Sequence, residues 1–490
     1  MTESLSTRQL SDLPRISSGI TGLDAVLGGG LPQNRTVLIA GQIGSGKTTL
    51  ANHLAFHHAR NGGNVVVVSF LAESHDVLLD NLRAFQFFQE DLVGGPIQYL
   101  NVLTQLVEGG IDAVLDTVRR EVRDKKATLL VIEGTSILED ISSTPFDLRQ
   151  FAQRTEGLCS MLGCTGVLLT SHIGDNLRLL GGSVNGVVLL SHATFGRRRV
   201  RLLEILKMRG VAYATGEHEF EISPNGVEVY PRLESLVGRE RPQQLSDHGL
   251  GTGSNHIDTM MGGGLRPLSI TMITGTPGAG KTILGLSFIV EGAIHGERGL
   301  IVGFHEREGD LVSTAQNVGR NLRAYLDKGI VKVVWNASLE LSADAWAWQV
   351  LNAVTEHGAQ RVFIDALTDV QRVMTTPERT PAFVTALSNE LRARGATVMM
   401  STEIESYTDT SLKIPIPAVS ASTDAGIFLR HVELNGRIRR MISILKVRQS
   451  ASDPVIQEME ITNQGIIVMQ PFKAVSGVLT GRAIEGSGES

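Results

Sequence analysis

A parallel α/β fold, built twice along the chain, is predicted by three observations. A glycine-rich loop ending in lysine and threonine occurs twice at a fixed spacing. Short β-branched apolar runs alternate with helix-length stretches around each loop. The 490 residues exceed one ordinary domain, at about 100–200 residues each, and the 42% hydrophobic content supplies material for more than one core.

The repeat is the strongest of the three. Gly41-Gln-Ile-Gly-Ser-Gly46-Lys47-Thr48 returns as Gly275-Thr-Pro-Gly-Ala-Gly280-Lys281-Thr282, 234 positions on. Upstream, Leu23-Asp24…Gly28-Gly29-Gly30-Leu31 returns as Ile257-Asp258…Gly262-Gly263-Gly264-Leu265 at the same offset of 234, and Phe70 meets Phe304 there too. Later segments match at 239: Ile205-Leu206-Lys207-Met208-Arg209 with Ile444-Leu445-Lys446-Val447-Arg448, and Phe220-Glu221-Ile222 with Met459-Glu460-Ile461. This period is far longer than the roughly 20–50 residues of solenoid repeats, so each unit is a domain with its own core. The expected domains are 1–240 and 241–490, joined through the polar run Gly238–Asp247.

Within a unit, Thr36–Ala40, Val65–Phe70, Leu129–Ile132 and Val167–Thr170 read as strands. Thr48–Arg60 and Ile111–Arg123 read as helices. That alternation predicts a mainly parallel sheet flanked by helices.

Composition excludes several classes. The formal net charge of −6 argues against a whole-chain nucleic-acid binder. No apolar run approaches the roughly 18 residues of a membrane span, and Met1–Arg15 is too polar for a secretory leader. Cys159 and Cys164, the only cysteines, read as small buried hydrophobes in a reducing compartment. A cytoplasmic location is expected.

The loop pattern G-x-x-x-x-G-K-[ST] carries a mechanism. Glycines let backbone N–H groups wrap phosphate oxygens, lysine reaches the β- and γ-phosphates, and the hydroxyl ligates magnesium. The helix that follows adds its positive end. Gly41, Gly44, Ser45, Gly46, Lys47, Thr48 and Thr49 form the first candidate ATP site; Gly275, Thr276, Gly278, Ala279, Gly280, Lys281, Thr282 and Ile283 form the second. An acid ending a nearby strand usually helps hold Mg2+. Val362-Phe-Ile-Asp365 supplies one in the second unit and Leu130-Val-Ile-Glu133 a longer one in the first. The expected metal ligands are Thr48, Glu133, Thr282 and Asp365.

On these residues the chain resembles the KaiC family of tandem RecA-like ATPases. The resemblance runs from about Arg15 to about Arg482. It rests on the D-x-x-x-G-G-G-[LF] segment before each loop, the Lys-x-Arg pairs 207/209 and 446/448, and the domain ends near Gly226 and Gly465. It implies two RecA-like P-loop domains in a double-ring homo-hexamer, with ATP at subunit interfaces and a small regulatory protein as partner. Lys207, Arg209, Lys446 and Arg448 would then reach a neighbour's γ-phosphate; residues i and i+2 on a strand share a face. The other reading of these pairs is a solvated basic edge.

The chain also departs from the family. Two adjacent glutamates are expected after the strand that follows the P-loop helix. The second unit has Phe304-His305-Glu306-Arg307, keeping one; the first has Phe70-Leu71-Ala72-Glu73, with Glu73 one residue late. A one-residue shift on a strand turns a side chain to the opposite face. Either the first domain binds ATP and acts as a slow ring-forming scaffold, or Glu73 or Glu133 substitutes. The family's Ser-Thr autophosphorylation pair falls on Ser420-Ala421, which leaves Ser420 as a single-site candidate, with Glu306 or His305 as base and Ser422 second. These small residues also suit an ordinary loop. The end after Gly477 is short, so the family's regulatory tail is expected to be absent.

The leading expectation is therefore an ATP-hydrolysing hexamer with a Ser/Thr autokinase in the second domain, used in signalling or timing. A RecA-like DNA-repair ATPase and a nucleotide-dependent assembly protein with little turnover are the alternatives.

Overall fold

The computed structural model describes residues 13–70, 75–135, 137–138, 145–171, 173–195, 197–235, 249–336, 341–404, 422–434, 437–448, 455–471, 475–476 and 484–485. The chain divides into two compact units between residues 236 and 237. The run Gly238–Asp247 lies outside the described residues.

Unit 1 is built on a nine-stranded sheet. Its strands are β1 (Thr36–Gly41), β2 (Val65–Ser69), β3 (Ile97–Asn101), β4 (Leu129–Glu133), β5 (Thr165–Thr170), β6 (Gly186–Phe195), β7 (Arg198–Met208), β8 (Glu217–Ser223) and β9 (Gly226–Tyr230). The spatial order is β9-β8-β7-β6-β1-β5-β4-β2-β3. Pairing is parallel from β3 through β6 and antiparallel from β6 to β9. Its helices include α1 (Lys47–Arg60), α2 (Leu103–Asp124) and α3 (Pro145–Leu162).

Unit 2 repeats this plan with β10 (Ile270–Gly275), β11 (Gly299–Gly303), β12 (Val331–Trp335), β13 (Arg361–Asp365), β14 (Thr397–Glu403), β15 (Ala425–Leu434), β16 (Arg437–Val447), β17 (Gln457–Thr462) and β18 (Gly465–Pro471). The order is β12-β11-β13-β14-β10-β15-β16-β17-β18, again parallel up to β15 and antiparallel beyond it. Among its helices are α4 (Lys281–Ile294), α5 (Ala343–His357), α6 (Leu367–Val373) and α7 (Thr380–Ala393). The expected α/β class with mainly parallel sheets is therefore what both units show.

The near-continuous apolar strands follow from burial on both faces. Val65 and Val67 join Leu50, Leu54 and Phe56 of α1, while Val66 and Val68 join Val114 and Val118 of α2 and Phe151 of α3. Leu129 and Val131 face the first cluster; Leu130 and Ile132 face the second. Cys159 and Cys164 are fully buried in the second.

The glycine triplets have a structural cause. Gly28, Gly29 and Gly30, like Gly262, Gly263 and Gly264, all adopt positive φ, where other residues are strained. The aspartate of the same motif ties the preceding chain down. Asp24 accepts from the Ser18 N–H at 2.8 Å and from the Ser17 hydroxyl at 2.7 Å. Asp258 accepts from the Thr252 N–H at 2.8 Å and hydroxyl at 2.7 Å.

One histidine couples α1 to the edge hairpin. His53 Nδ1 accepts from the Val227 N–H at 3.2 Å, and its ring stacks on Phe87 with centroids 4.7 Å apart. Burial, then His57 and Arg60, push its pKa down to about 4. A base with a depressed folded pKa loses stability as pH falls below the unfolded value, because the unfolded chain takes the proton first. Unit 1 should therefore melt at lower temperature as pH drops from about 7 towards about 5. A His53→Gln variant should show a shallower slope, read by thermal melts of both proteins across pH; parallel slopes would exclude this role.

Candidate functional site

Each P-loop joins the central strand of its sheet to a 14-residue helix, α1 or α4. Gly46 and Gly280 cap these helices at φ 100° and φ 106°, the left-handed region. A β-carbon on Gly46 would lie 2.5 Å from Ile222 Cδ1, and one on Gly41 would lie 2.4 Å from the Leu190 carbonyl oxygen. The same crowding recurs at Gly280 and Gly275. Glycine is required here by conformation and by space.

The two lysines are held alike. Lys47 Nζ donates to the carbonyls of Gly41 at 2.7 Å and Gln42 at 3.0 Å. Lys281 Nζ donates to those of Gly275 and Thr276, both at 3.1 Å. Burial lowers the Lys47 pKa, and Glu133 opposes that shift.

The strand-end acids reach the loop threonines in both units. Thr282 Oγ1 donates to Asp365 Oδ2 at 2.6 Å, and the Ser401 hydroxyl binds the other carboxylate oxygen. Thr48 Oγ1 donates to Glu133 Oε1. The longer side chain of Glu133 thus still meets the hydroxyl with which it would share a cation.

Unit 2 has a cavity of about 160 Å³ beside its loop, lined in part by Thr282, His305, Glu306, Asp365, Asp369 and Glu403. Glu306 Oε2 is buried without a hydrogen-bond partner. Burial raises the Glu306 pKa, Asp365 and Asp310 raise it further, and His305 opposes them. His305 is positioned by Asp369, whose buried carboxylate lies 3.0 Å from His305 Nε2 and accepts from Arg372 at 2.9 Å. Beside the loop, His431 Nδ1 lies 3.2 Å from Thr276 Oγ1, and Arg440 Nε donates to the Gly278 carbonyl at 3.3 Å. Burial, Arg440 and Lys281 all lower the His431 pKa.

Sequence reasoning missed Ser401, Glu403, Asp369, His431 and Arg440. Glu403 carried the signal used for Asp365, an acid closing an apolar strand. His431 and Arg440 repeat His192 and Arg201 at the offset of 239, and each pair stands directly opposite across its hairpin.

β11 ends at Gly303, so Glu306 comes after the regular strand has stopped and strand alternation does not decide where it points. Glu73 itself lies outside the described residues, as do Ser420 and Ala421. Ser422 is described: it is 8% exposed, and its hydroxyl lies 2.5 Å from that of Thr385. Thr385 gives its own proton to the Pro381 carbonyl, so Ser422 is the donor in that pair.

The Lys-x-Arg pairs stand at the ends of their strands, and the first pair binds carbonyls of its own unit. Lys207 donates to the carbonyls of Gly181 at 2.6 Å and Val184 at 2.7 Å, at the C-terminal end of the helix Asp175–Ser183. Arg209 donates to Gly182 at 3.4 Å. Cations at a helix C-terminus meet its unpaired carbonyls and dipole. In unit 2 Lys446 pairs across from Gly426, and Arg448 lies 4.0 Å from Asp424.

No described helix is long and apolar enough to cross a membrane, and no group of three or more metal-binding side chains occurs among the described residues.

A family model described as "ATPase: KaiC" matches residues 16–234 and again 250–473. The chain is 28% identical over 488 residues to the circadian clock protein KaiC3 of a Synechocystis strain, covering 97% of this chain and 95% of that one. It is 26% identical to the circadian clock oscillator protein KaiC of a Picosynechococcus strain, covering 96% and 93%. The KaiC of Thermosynechococcus vestitus is also 26% identical, at 98% and 94% coverage.

Substitution at the strand–loop junction tests this geometry. Gly275→Ala places a methyl group 2.3 Å from the Leu429 carbonyl oxygen, a backbone atom that cannot rotate away. It should lower unit 2 stability by about 1–3 kcal/mol and abolish nucleotide-induced stabilisation of that unit. Gly278→Ala meets its nearest atom at 3.6 Å and should cost only about 1–2 kcal/mol, for its positive φ. Thermal melts with and without ATP would compare the two.

Proposed function

Because this chain belongs to the KaiC family of ATPases, we propose that its two P-loops divide the work, the first holding ATP and the second turning it over. The observation that carries this reading is Glu306. Its buried, unpartnered carboxylate oxygen sits in a residue lining the unit 2 cavity, beside Thr282 and Asp365. The position 234 residues earlier holds Ala72.

Hydrolysis needs water oriented against the γ-phosphate and a group to take its proton. In unit 2, Lys281 and the loop N–H groups would bind the β- and γ-phosphates. Thr282 and Asp365 fit magnesium, which takes one or two hard protein oxygens and completes its shell with phosphate and water. The ion would neutralise charge developing on the phosphates. Glu306 would accept the proton, and the burial that raises its pKa also makes it a stronger base. Asp369 would keep His305 oriented at the cavity wall. In unit 1, Lys47, Thr48 and Glu133 supply the binding half of this set.

Turnover assays test the division. Lys281→Ala should abolish most phosphate release, and Lys47→Ala should leave much of it. Glu306→Gln should lower kcat by about 10²–10⁴ with nucleotide still bound. The reverse ranking of the two lysines would sink the assignment. In a hexamer with ATP at subunit interfaces, Arg448→Ala should lower kcat in the same assay while leaving nucleotide binding intact.

The recombination reading is not favoured, since the named relatives are clock proteins. A signalling or timing role, with a small regulatory protein as partner, fits the family better. Of the two serines an autokinase in this domain could use, Ser422 is buried with its hydroxyl against that of Thr385, so Ser420 is the one to test. Mass spectrometry after incubation with ATP and Mg2+ should find phosphate on Ser420 and none on Ser422; an unmodified Ser420 ends the autokinase reading.

A further inference from the structure

An ammonium group has three protons to donate. Lys281 gives two to the carbonyls of its own loop and the third to Glu403, whose Oε1 lies 3.2 Å away. Lys281 is only 6% exposed and Glu403 is 43% exposed. The third proton is the one left for a phosphate oxygen, so a carboxylate stands in the direction from which phosphate must come.

The backbone fixes that carboxylate there. Glu403 is the last residue of β14, and it pairs in register with Gly275, the first residue of the loop. Unit 1 differs here. Lys47 makes the same two carbonyl bonds, but the residue after Thr170, which pairs with Ala40, is Ser171. The loops are therefore alike as cradles and unlike in what faces the lysine.

We propose that Glu403 is a phosphate-mimicking latch: it occupies Lys281 until ATP displaces it, and so weakens nucleotide binding in the second domain alone. The first domain, without an acid at Ser171, retains nucleotide at concentrations where the second exchanges it. A carboxylate beside the incoming polyphosphate opposes binding twice. It must surrender its ion pair, and it repels the phosphates once they arrive. An ion pair that is partly exposed sets a modest size for the effect, about three- to tenfold in affinity.

This rests on the reading that Lys281 binds the phosphates of ATP. The test is titration of the full-length chain with a fluorescent mant-ATP and Mg2+, in a Lys47→Ala background so that only the second domain is read. Glu403→Gln keeps the shape and removes the charge; it should tighten binding by about three- to tenfold and slow nucleotide release. The reciprocal Ser171→Glu, read in a Lys281→Ala background, should weaken the first domain by a similar factor, with thermal melts confirming that each variant is folded. Unchanged or weaker binding by folded Glu403→Gln overturns the latch. So does a turnover loss of about a hundredfold at unchanged affinity, which would make Glu403 a base. Absence of mant-ATP binding in both the Lys47→Ala background and its Glu403→Gln derivative would instead remove the reading on which the latch rests.

Discussion

The Lys281 ammonium and its counterpart on Lys47 are each gripped by two carbonyls of the loop that carries them. That grip requires the loop to fold back closely on the lysine, and the rest of each unit serves to hold it so. The central strand is clamped between two parallel neighbours. Its last residue must be glycine because a neighbouring carbonyl leaves no room for a side chain. The helix beyond the loop starts on a left-handed glycine, with its positive end towards the loop.

Around this shared device the two units diverge in acidic residues. The strand-end acid meets the loop threonine in both, and the extra methylene of Glu133 is absorbed without loss of that contact. Unit 2 adds Glu306, Asp369 and Glu403 around one cavity. Burial, then the nearby Asp365 and Asp310, raises the affinity of Glu306 for its proton. Among the described residues, the loop threonine and the strand-end acid meet in both units, and the further acids Glu306, Asp369 and Glu403 line the cavity of the second.

The basic pair of the first unit is held by its own fold. Lys207 and Arg209 close their strand on the carbonyls ending a helix of their own unit. Two cations held together by local carbonyls are already oriented, so presenting them to a neighbour's phosphate would need little further ordering.

The sequence by itself determined the duplication, the parallel α/β class, both phosphate loops and the strand-end acids. These are legible because each depends on local conformation: glycines at positive φ, apolar runs of strand length, and a lysine at fixed distance from a helix start. Only the tertiary structure decided which groups from other strands face those loops. Glu403 is 122 residues from Lys281 and His431 is 155 from Thr276. Their contacts are set by the order of strands in the sheet, which brings β14 and β15 to either side of β10. Sheet order is a property of how whole strands pack, and no local pattern records it.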